Sequence, residues 1–120
     1  MPPEYRRVQK VLFTGLTNAV NVTKYLAIDP GPRGIVSVYA QRTGGAGTAM
    51  FQAFKTFKNG NKSGVTVSLS NDVVSLGSAV AGGSGVLTAI HSDISDDMPY
   101  LAIQAVPTNA SDYEITVVSR

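Results

Sequence analysis

Hydrophobic and polar residues alternate along several short stretches of this chain, a pattern typical of β-strands that are buried on one face. The alternation is clearest at Tyr113, Ile115 and Val117, which would share one side of a strand while the residues between them take the other. Residues 100–106 and 65–69 follow the same pattern. Three separate stretches of this kind indicate a sheet protein.

Segments rich in glycine, proline and asparagine separate these stretches. The segment 29–34 contains two prolines and two glycines, so it cannot continue a ladder of backbone hydrogen bonds. The predicted strands are 8–14, 20–28, 35–42, 65–69, 73–76, 85–91, 100–106 and 113–119. We therefore expect an all-β antiparallel sandwich of about eight to nine strands, either jelly-roll or immunoglobulin-like.

Residues 48–58 fit a helix as well as a strand. Phe51, Phe54 and Phe57 are three apart, the first residue is a threonine that could cap a helix, and Gly60 could end it. The position of this segment between two glycine-rich turns favours a strand. We predict a strand here, with one short helix as the alternative.

The length of 120 residues predicts a single domain over residues 8–120, preceded by a short N-terminal arm over residues 1–7. The absence of cysteine excludes disulfides and thiolate metal sites. No stretch approaches the ~18 apolar residues of a membrane span, and no export signal is visible. We expect a soluble product of the cytoplasm with no membrane partner.

Charge is divided unequally along the chain. Residues 1–62 hold nine of the ten basic residues and residues 63–120 hold six of the eight acidic ones, so the two halves carry +7 and −5. The residues expected to form interactions are Arg6, Arg7, Arg33, Lys55, Lys58, Lys62, Asp93, Asp96 and Asp97. If the basic and acidic segments lie at opposite ends, they could pair between copies, whereas adjacent segments would only neutralise each other.

His91 is the only histidine, so an imidazole-based catalytic site would have to include it. Ser92 and Asp93 follow it directly, but adjacent residues of an extended chain point to opposite faces, and this is not a known catalytic spacing. We predict that the protein is not an enzyme.

Asp93, Asp96 and Asp97 could supply oxygen ligands to a calcium ion. They lack the regular spacing of a calcium-binding loop, and Pro99 follows closely. A polar turn before the strand at Tyr100 explains them better, so we predict neither metal nor cofactor.

Lys55, Lys58 and Lys62 are interleaved with Phe54 and Phe57, a combination that also occurs in proteins that bind single-stranded nucleic acid. A net charge of only +2 argues against that function, because tracking a phosphate backbone needs several convergent cations. A hairpin with lysines at its tip more often prevents edge-to-edge pairing. We do not expect nucleic acid as a partner.

Sugar binding would suit a sandwich, but the chain has no tryptophan. Tyr5 and Tyr25 are the tyrosines we expect to be most accessible, whereas Tyr39, Tyr100 and Tyr113 lie within predicted strands.

The second half of the chain, from Val65 onward, combines a Ser70-Asn71-Asp72 turn after the Val65 run, a strand that begins Pro99-Tyr100-Leu101, and the run 113–117. In these features it resembles small β-sandwich virion proteins of tailed bacteriophages. The resemblance implies a capsid decoration protein, or another minor head or tail component, that forms homo-oligomers on the major capsid or another virion protein. It implies no catalytic residues.

These expectations together describe a structural virion protein, assembled in the host cytoplasm, that binds a repetitive protein surface and its own copies. The alternative is a glycan- or receptor-binding module at a tail or fibre tip.

Overall fold

The computed structural model describes residues 6–18, 20–83 and 85–120, which contain nine strands and no helix. The strands are β1 (Arg7–Leu16), β2 (Val22–Ala27), β3 (Ile35–Gly45), β4 (Ala49–Thr56), β5 (Val73–Ser75), β6 (Val80–Ala81), β7 (Thr88–Ser95), β8 (Tyr100–Pro107) and β9 (Ser111–Ser119). A membrane-crossing helix is not found in the described residues.

The strands form two antiparallel sheets that pack face to face. One sheet has the order β1-β9-β3-β7, and the other has the order β2-β8-β4-β5, with the short β6 also paired to β4. Immunoglobulin-like sandwiches place several consecutive strands side by side in one sheet. Here β1 to β4 alternate between the sheets, as do β7 to β9, which is the arrangement of a double-sheet jelly roll. The predicted sandwich is confirmed.

An aromatic cluster joins the two sheets at the centre of the core. Phe51 of β4 meets Tyr113 of β9 with ring centroids 4.8 Å apart and Phe13 of β1 at 5.7 Å, both edge-to-face. The Tyr113 hydroxyl donates to the Gly83 carbonyl at 2.9 Å. The backbone at Gly82 passes so close that a Cβ there would lie 2.7 Å from the Phe51 ring.

The alternation seen in the sequence at β9 is confirmed. Tyr113, Ile115 and Val117 are at most 1% exposed, while the residues between them are only half-buried on the opposite face. Residues 48–58 also follow the preferred prediction, since β4 occupies Ala49–Thr56, and the helical alternative is wrong.

The strand predicted over 65–69 is wrong. Residues 57–72 form a long excursion between β4 and β5, which we call the covering loop. The Ser68 N–H donates to the Asp72 carboxylate at 2.7 Å, and the Ser68 carbonyl accepts from Asn71 and Asp72. These turn bonds occupy backbone groups that a strand would offer to a neighbour.

Other predicted boundaries are also wrong. The strand expected over 85–91 instead occupies Thr88–Ser95, because an edge strand has only one neighbour and tolerates polar residues and bulges. The short β6 has only two residues and was not predicted. Of the expected arm, Arg7 belongs to β1 and pairs with Ser119, and residues 1–5 lie outside the described residues.

The covering loop lies against the outer face of the five-stranded sheet. A Cβ added at Gly60 would overlap the Tyr25 ring, and the Asn61 side-chain amide donates to the Tyr25 carbonyl at 2.8 Å. Phe54 and Ala102, which point away from the core on this sheet, are 7% and 0% exposed. One outer face of the sandwich is therefore partly closed.

We expect replacement of Phe51 by alanine to lower the free energy of unfolding by about 3–5 kcal/mol, because it opens a cavity between the sheets. Met50→Ala, at the neighbouring position on the opposite face of β4, is the matched control, since Met50 is 38% exposed. The free energy of unfolding of Met50→Ala should fall by only about 0.5 kcal/mol. Urea unfolding measures both, and equal losses would contradict the role of the aromatic cluster.

Candidate interaction surface

The outer face of the four-stranded sheet carries three ordered rows of side chains. Residues that alternate with the buried core positions point away from the core on β1, β9 and β3. The rows, each read in that strand order, are Val8, Val118 and Ser37, then Lys10, Thr116 and Tyr39, then Leu12, Glu114 and Gln41. We call this surface the open face.

A groove of about 420 Å³ lies over the open face and is bordered by Arg6, Leu87 and Arg120. Leu87 comes directly before β7. Tyr39 pairs with Ala89 in the antiparallel register of β3 and β7, so two residues further along β3 Gln41 lies opposite Leu87. Leu87 therefore continues the row of Gln41. The volume falls within the range of sites that accept small ligands or a protruding side chain of a partner.

The charges at the centre of the open face are paired. Lys10 Nζ lies 2.7 Å from Glu114 Oε1 and 3.1 Å from Thr116 Oγ1. Arg120 at the rim forms an ion pair with Asp93. Such exposed pairs contribute only about 0–1 kcal/mol to stability, but they leave the surface close to neutral.

Large apolar side chains are exposed on this face. Val8 and Leu12 on β1 are 58% and 53% exposed, and Leu87 is 56% exposed. Scattered apolar residues are normal on a surface, and these three share the outer face of one sheet.

The opposite charges of the two halves mostly neutralise each other within the molecule. In the part of the chain that the structure describes, ion pairs join cations of residues 1–62 to anions of residues 63–120. They include Lys10 with Glu114 at 2.7 Å, Lys55 with Asp97 at 2.6 Å, and Lys58 with Asp72 at 3.0 Å. Within the first half, Arg7 Nε lies 3.6 Å from Asp29 Oδ1 and donates to the Pro30 carbonyl.

The acidic segment and the Arg33 turn lie side by side, not at opposite ends. The Asp96 N–H donates to the Gly34 carbonyl at 3.0 Å, and the Arg33 N–H donates to the Arg120 carbonyl. Asp93 belongs to β7, where it adopts a φ of 54° at an irregularity of the strand, so it is not part of a loop. Of the nine residues predicted to form interactions, Arg6 borders the groove on the open face.

Two carboxylates of these pairs are held ionised. Hydrogen bonding from the Ser68 backbone, and then from Lys58, lowers the pKa of Asp72 below its ordinary value. A hydrogen bond from Lys55 lowers the pKa of Asp97. The Lys58–Asp72 pair joins the two ends of the covering loop, and the Lys55–Asp97 pair joins β4 to the segment between β7 and β8.

A second groove, of about 670 Å³, lies beside the covering loop. Its lining includes Phe57, which is 68% exposed, together with Tyr100, Lys58 and Lys62. Lys58 is engaged by Asp72, which reduces the positive charge available to a ligand there.

His91 connects the two sheets. A bulge in β7 places both Ile90 and His91 on the core side, and His91 Nε2 accepts the Ala53 N–H of β4 at 3.1 Å. Gly77 lies so close to this side chain that a Cβ added there would be 2.8 Å from His91 Nδ1. Burial lowers the pKa of His91, so the neutral imidazole acts as an acceptor within the fold.

Two of the three aspartates considered for calcium are engaged by different cations. Asp93 pairs with Arg120 and Asp97 with Lys55. No group of three histidine or acidic side chains converges on a metal position within the described residues.

Of the two tyrosines expected to be most accessible, Tyr5 lies outside the described residues, and Tyr25 is half-buried under the covering loop, just as Tyr39 and Tyr100 are half-buried. The tyrosine that lines the groove on the open face is Tyr39. Its position was implied by the alternation of Val36, Val38 and Ala40, which assigns Tyr39 to the opposite side of β3.

The fold and this surface define a small jelly-roll domain with one covered and one open outer face. Comparison of the chain with protein-family models, with characterised proteins and with solved structures found no match.

We expect the stability of the protein to fall as the pH drops below about 6.5, the ordinary value of histidine. Because the pKa of His91 is lower in the folded state, the unfolded state binds more protons there, so acid favours unfolding. Urea unfolding between pH 8 and pH 5 measures this dependence. His91→Gln retains a hydrogen-bond acceptor without titrating and should lose that part of the slope; an unchanged slope would contradict the assignment.

Proposed function

We propose that this protein is a structural component of a tailed-bacteriophage virion, either a capsid decoration protein or a minor head or tail protein. It binds a repetitive protein surface and its own copies. The observation that carries the proposal is the open face, on which exposed Val8, Leu12 and Leu87 surround a neutralised pair of charges.

The composition of the open face suits contact with protein. The centres of protein interfaces are depleted of unpaired charge and enriched in tyrosine and arginine. Tyr39 lies in the middle row, while Arg6 and Arg120 lie at the rim. The side chains stand on paired strands, so little conformational entropy is lost when a partner binds.

Two of the three stretches that carry the resemblance to phage virion proteins lie in central strands, and the third, at 65–72, lies in the covering loop. The run that begins at Tyr100 is β8, and residues 113–117 lie in β9, each between two other strands of its sheet. Jelly rolls are common among viral capsid domains. This support is an analogy of fold, and the open face supplies the argument from the site itself.

The engagement of His91 in the fold favours a structural function over catalysis. Its Nε2 accepts a backbone hydrogen bond from Ala53, and the side chain is only 7% exposed. An imidazole in this position has little access to a substrate.

Light scattering at micromolar concentration should give a mass of at least two chains. The protein should also co-sediment with particles of the encoding virus assembled without it, because those particles present many identical sites. A protein that stays monomeric and does not bind such particles would contradict the proposal.

A second candidate function is glycan or receptor binding at a tail or fibre tip, and the groove on the open face favours it. Tyr39 offers an aromatic surface there, and Ser37, Gln41 and Thr116 offer hydrogen-bonding groups. Lectin domains also use the jelly roll.

Glycan binding predicts saturable signals on a glycan array that weaken at least about tenfold in Tyr39→Ala, a loss of about 1.4 kcal/mol. Phe57→Ala removes an exposed aromatic residue outside the groove and should have no effect. An array without signal would exclude this second candidate for the glycans tested.

A further inference from the structure

We infer that the open face is where two copies of this chain associate, face to face, about a two-fold axis that crosses the strands near Thr116 and Tyr39. The inference rests on the proposed function and names the surface that self-association uses. The occupant of the groove is therefore a second copy of this chain.

The two outer faces of the sandwich differ in their availability. On the five-stranded sheet the covering loop packs on Tyr25, and the outward Phe54 and Ala102 are buried, while the outward Met50 and Val106 are 38% and 39% exposed. On the four-stranded sheet, Val8 and Leu12 remain more than half exposed. A partner can approach the open face without displacing any of the residues that the structure describes.

The apolar residues of β1 are arranged symmetrically. Val8 and Leu12 lie on either side of Lys10 at equal spacing along the strand. A two-fold axis across the strands reverses the order of the rows, so Val8 of each copy would meet Leu12 of the other. Such an isologous contact occurs twice and buries both apolar residues of each copy.

The charges of the face match those of a reversed copy. Arg6 and Arg120 lie beyond the Val8 row, whereas Asp112 lies beyond the Leu12 row. Reversal brings the basic end of one copy toward the acidic end of the other. Near the axis, Lys10 of each copy faces Lys10 of the other, and each is neutralised by its own Glu114 at 2.7 Å.

The size of the open face is sufficient for a stable dimer. Four strands about 4.8 Å apart and about nine residues long span roughly 20 by 30 Å, or about 600 Å² in projection. Side-chain relief and the rim raise the accessible area toward the ~800 Å² per partner of a standard interface.

Because the chain contains no cysteine, a single introduced thiol reports one contact. Thr116→Cys places a thiol near the proposed axis, and mild oxidation at micromolar concentration should convert most of the protein to a covalent dimer. Ser70→Cys, on the exposed part of the covering loop, is the matched control and should give no covalent dimer. Equal cross-linking of the two variants would overturn the inference.

Leu12→Lys should weaken self-association at least tenfold in Kd, measured by analytical ultracentrifugation. Leu12 is already 53% exposed and pairs with Glu114 across the strands, so the added cation should not unfold the monomer. Val74→Lys, at a position 46% exposed on β5, is the matched control and should associate like the wild type. Urea unfolding verifies that both variants fold.

The double variant Val8→Glu with Leu12→Lys tests the orientation of the dimer. If the rows are reversed, each new glutamate meets a new lysine of the other copy, and association recovers relative to Leu12→Lys alone. No recovery would overturn the proposed axis.

These results also separate the inference from the proposed function. If the wild-type protein and Leu12→Lys associate equally well, the open face is not the contact, but self-association itself still holds. Wild-type protein that is monomeric at every concentration would overturn the inference, and it would contradict the proposed function only if it also fails to bind particles assembled without it.

Discussion

The contact of Phe13, Phe51 and Tyr113 between the two sheets is the interaction on which the rest of the structure depends. The three rings come from β1, β4 and β9, so their edge-to-face packing sets the distance between the sheets. The rings leave no room for a side chain at position 82, which is a glycine. Because these rings fix which side of each strand faces inward, they also fix which residues form the open face.

The open face results from a difference between two otherwise similar sheets. Both have an outer face, but the excursion between β4 and β5 returns over one of them and is held there by the Ser68 to Asp72 turn. Charge that could have directed a partner is instead largely used within the chain, as at Lys55 and Asp97. What remains exposed is a nearly neutral surface of paired strands, which suits a broad protein contact better than a highly charged ligand.

The fold was predictable where the local pattern and the tertiary structure agree. Alternation identified β9, and glycine-rich turns favoured a strand for β4. The alternating pattern failed over 65–69, because turn hydrogen bonds around Ser68 compete with strand pairing. It also failed at His91, because a bulge in β7 places consecutive side chains on one face. The open face was hardly predictable, since its rows combine β1, β9 and β3, which are separated from one another in the sequence by at least one other strand.

The position of β9 between β1 and β3 has a consequence for the order of events in the cell. Glu114 and Thr116, which occupy the middle of the open face, reach it only when β9 inserts between two strands made much earlier. Long-range pairing of this kind is slow, and β1 has no partner in its sheet until then. Until β9 is in place, a nascent chain lacks the middle strand of the open face, so a contact of the kind proposed for that face requires the last strand to have folded first.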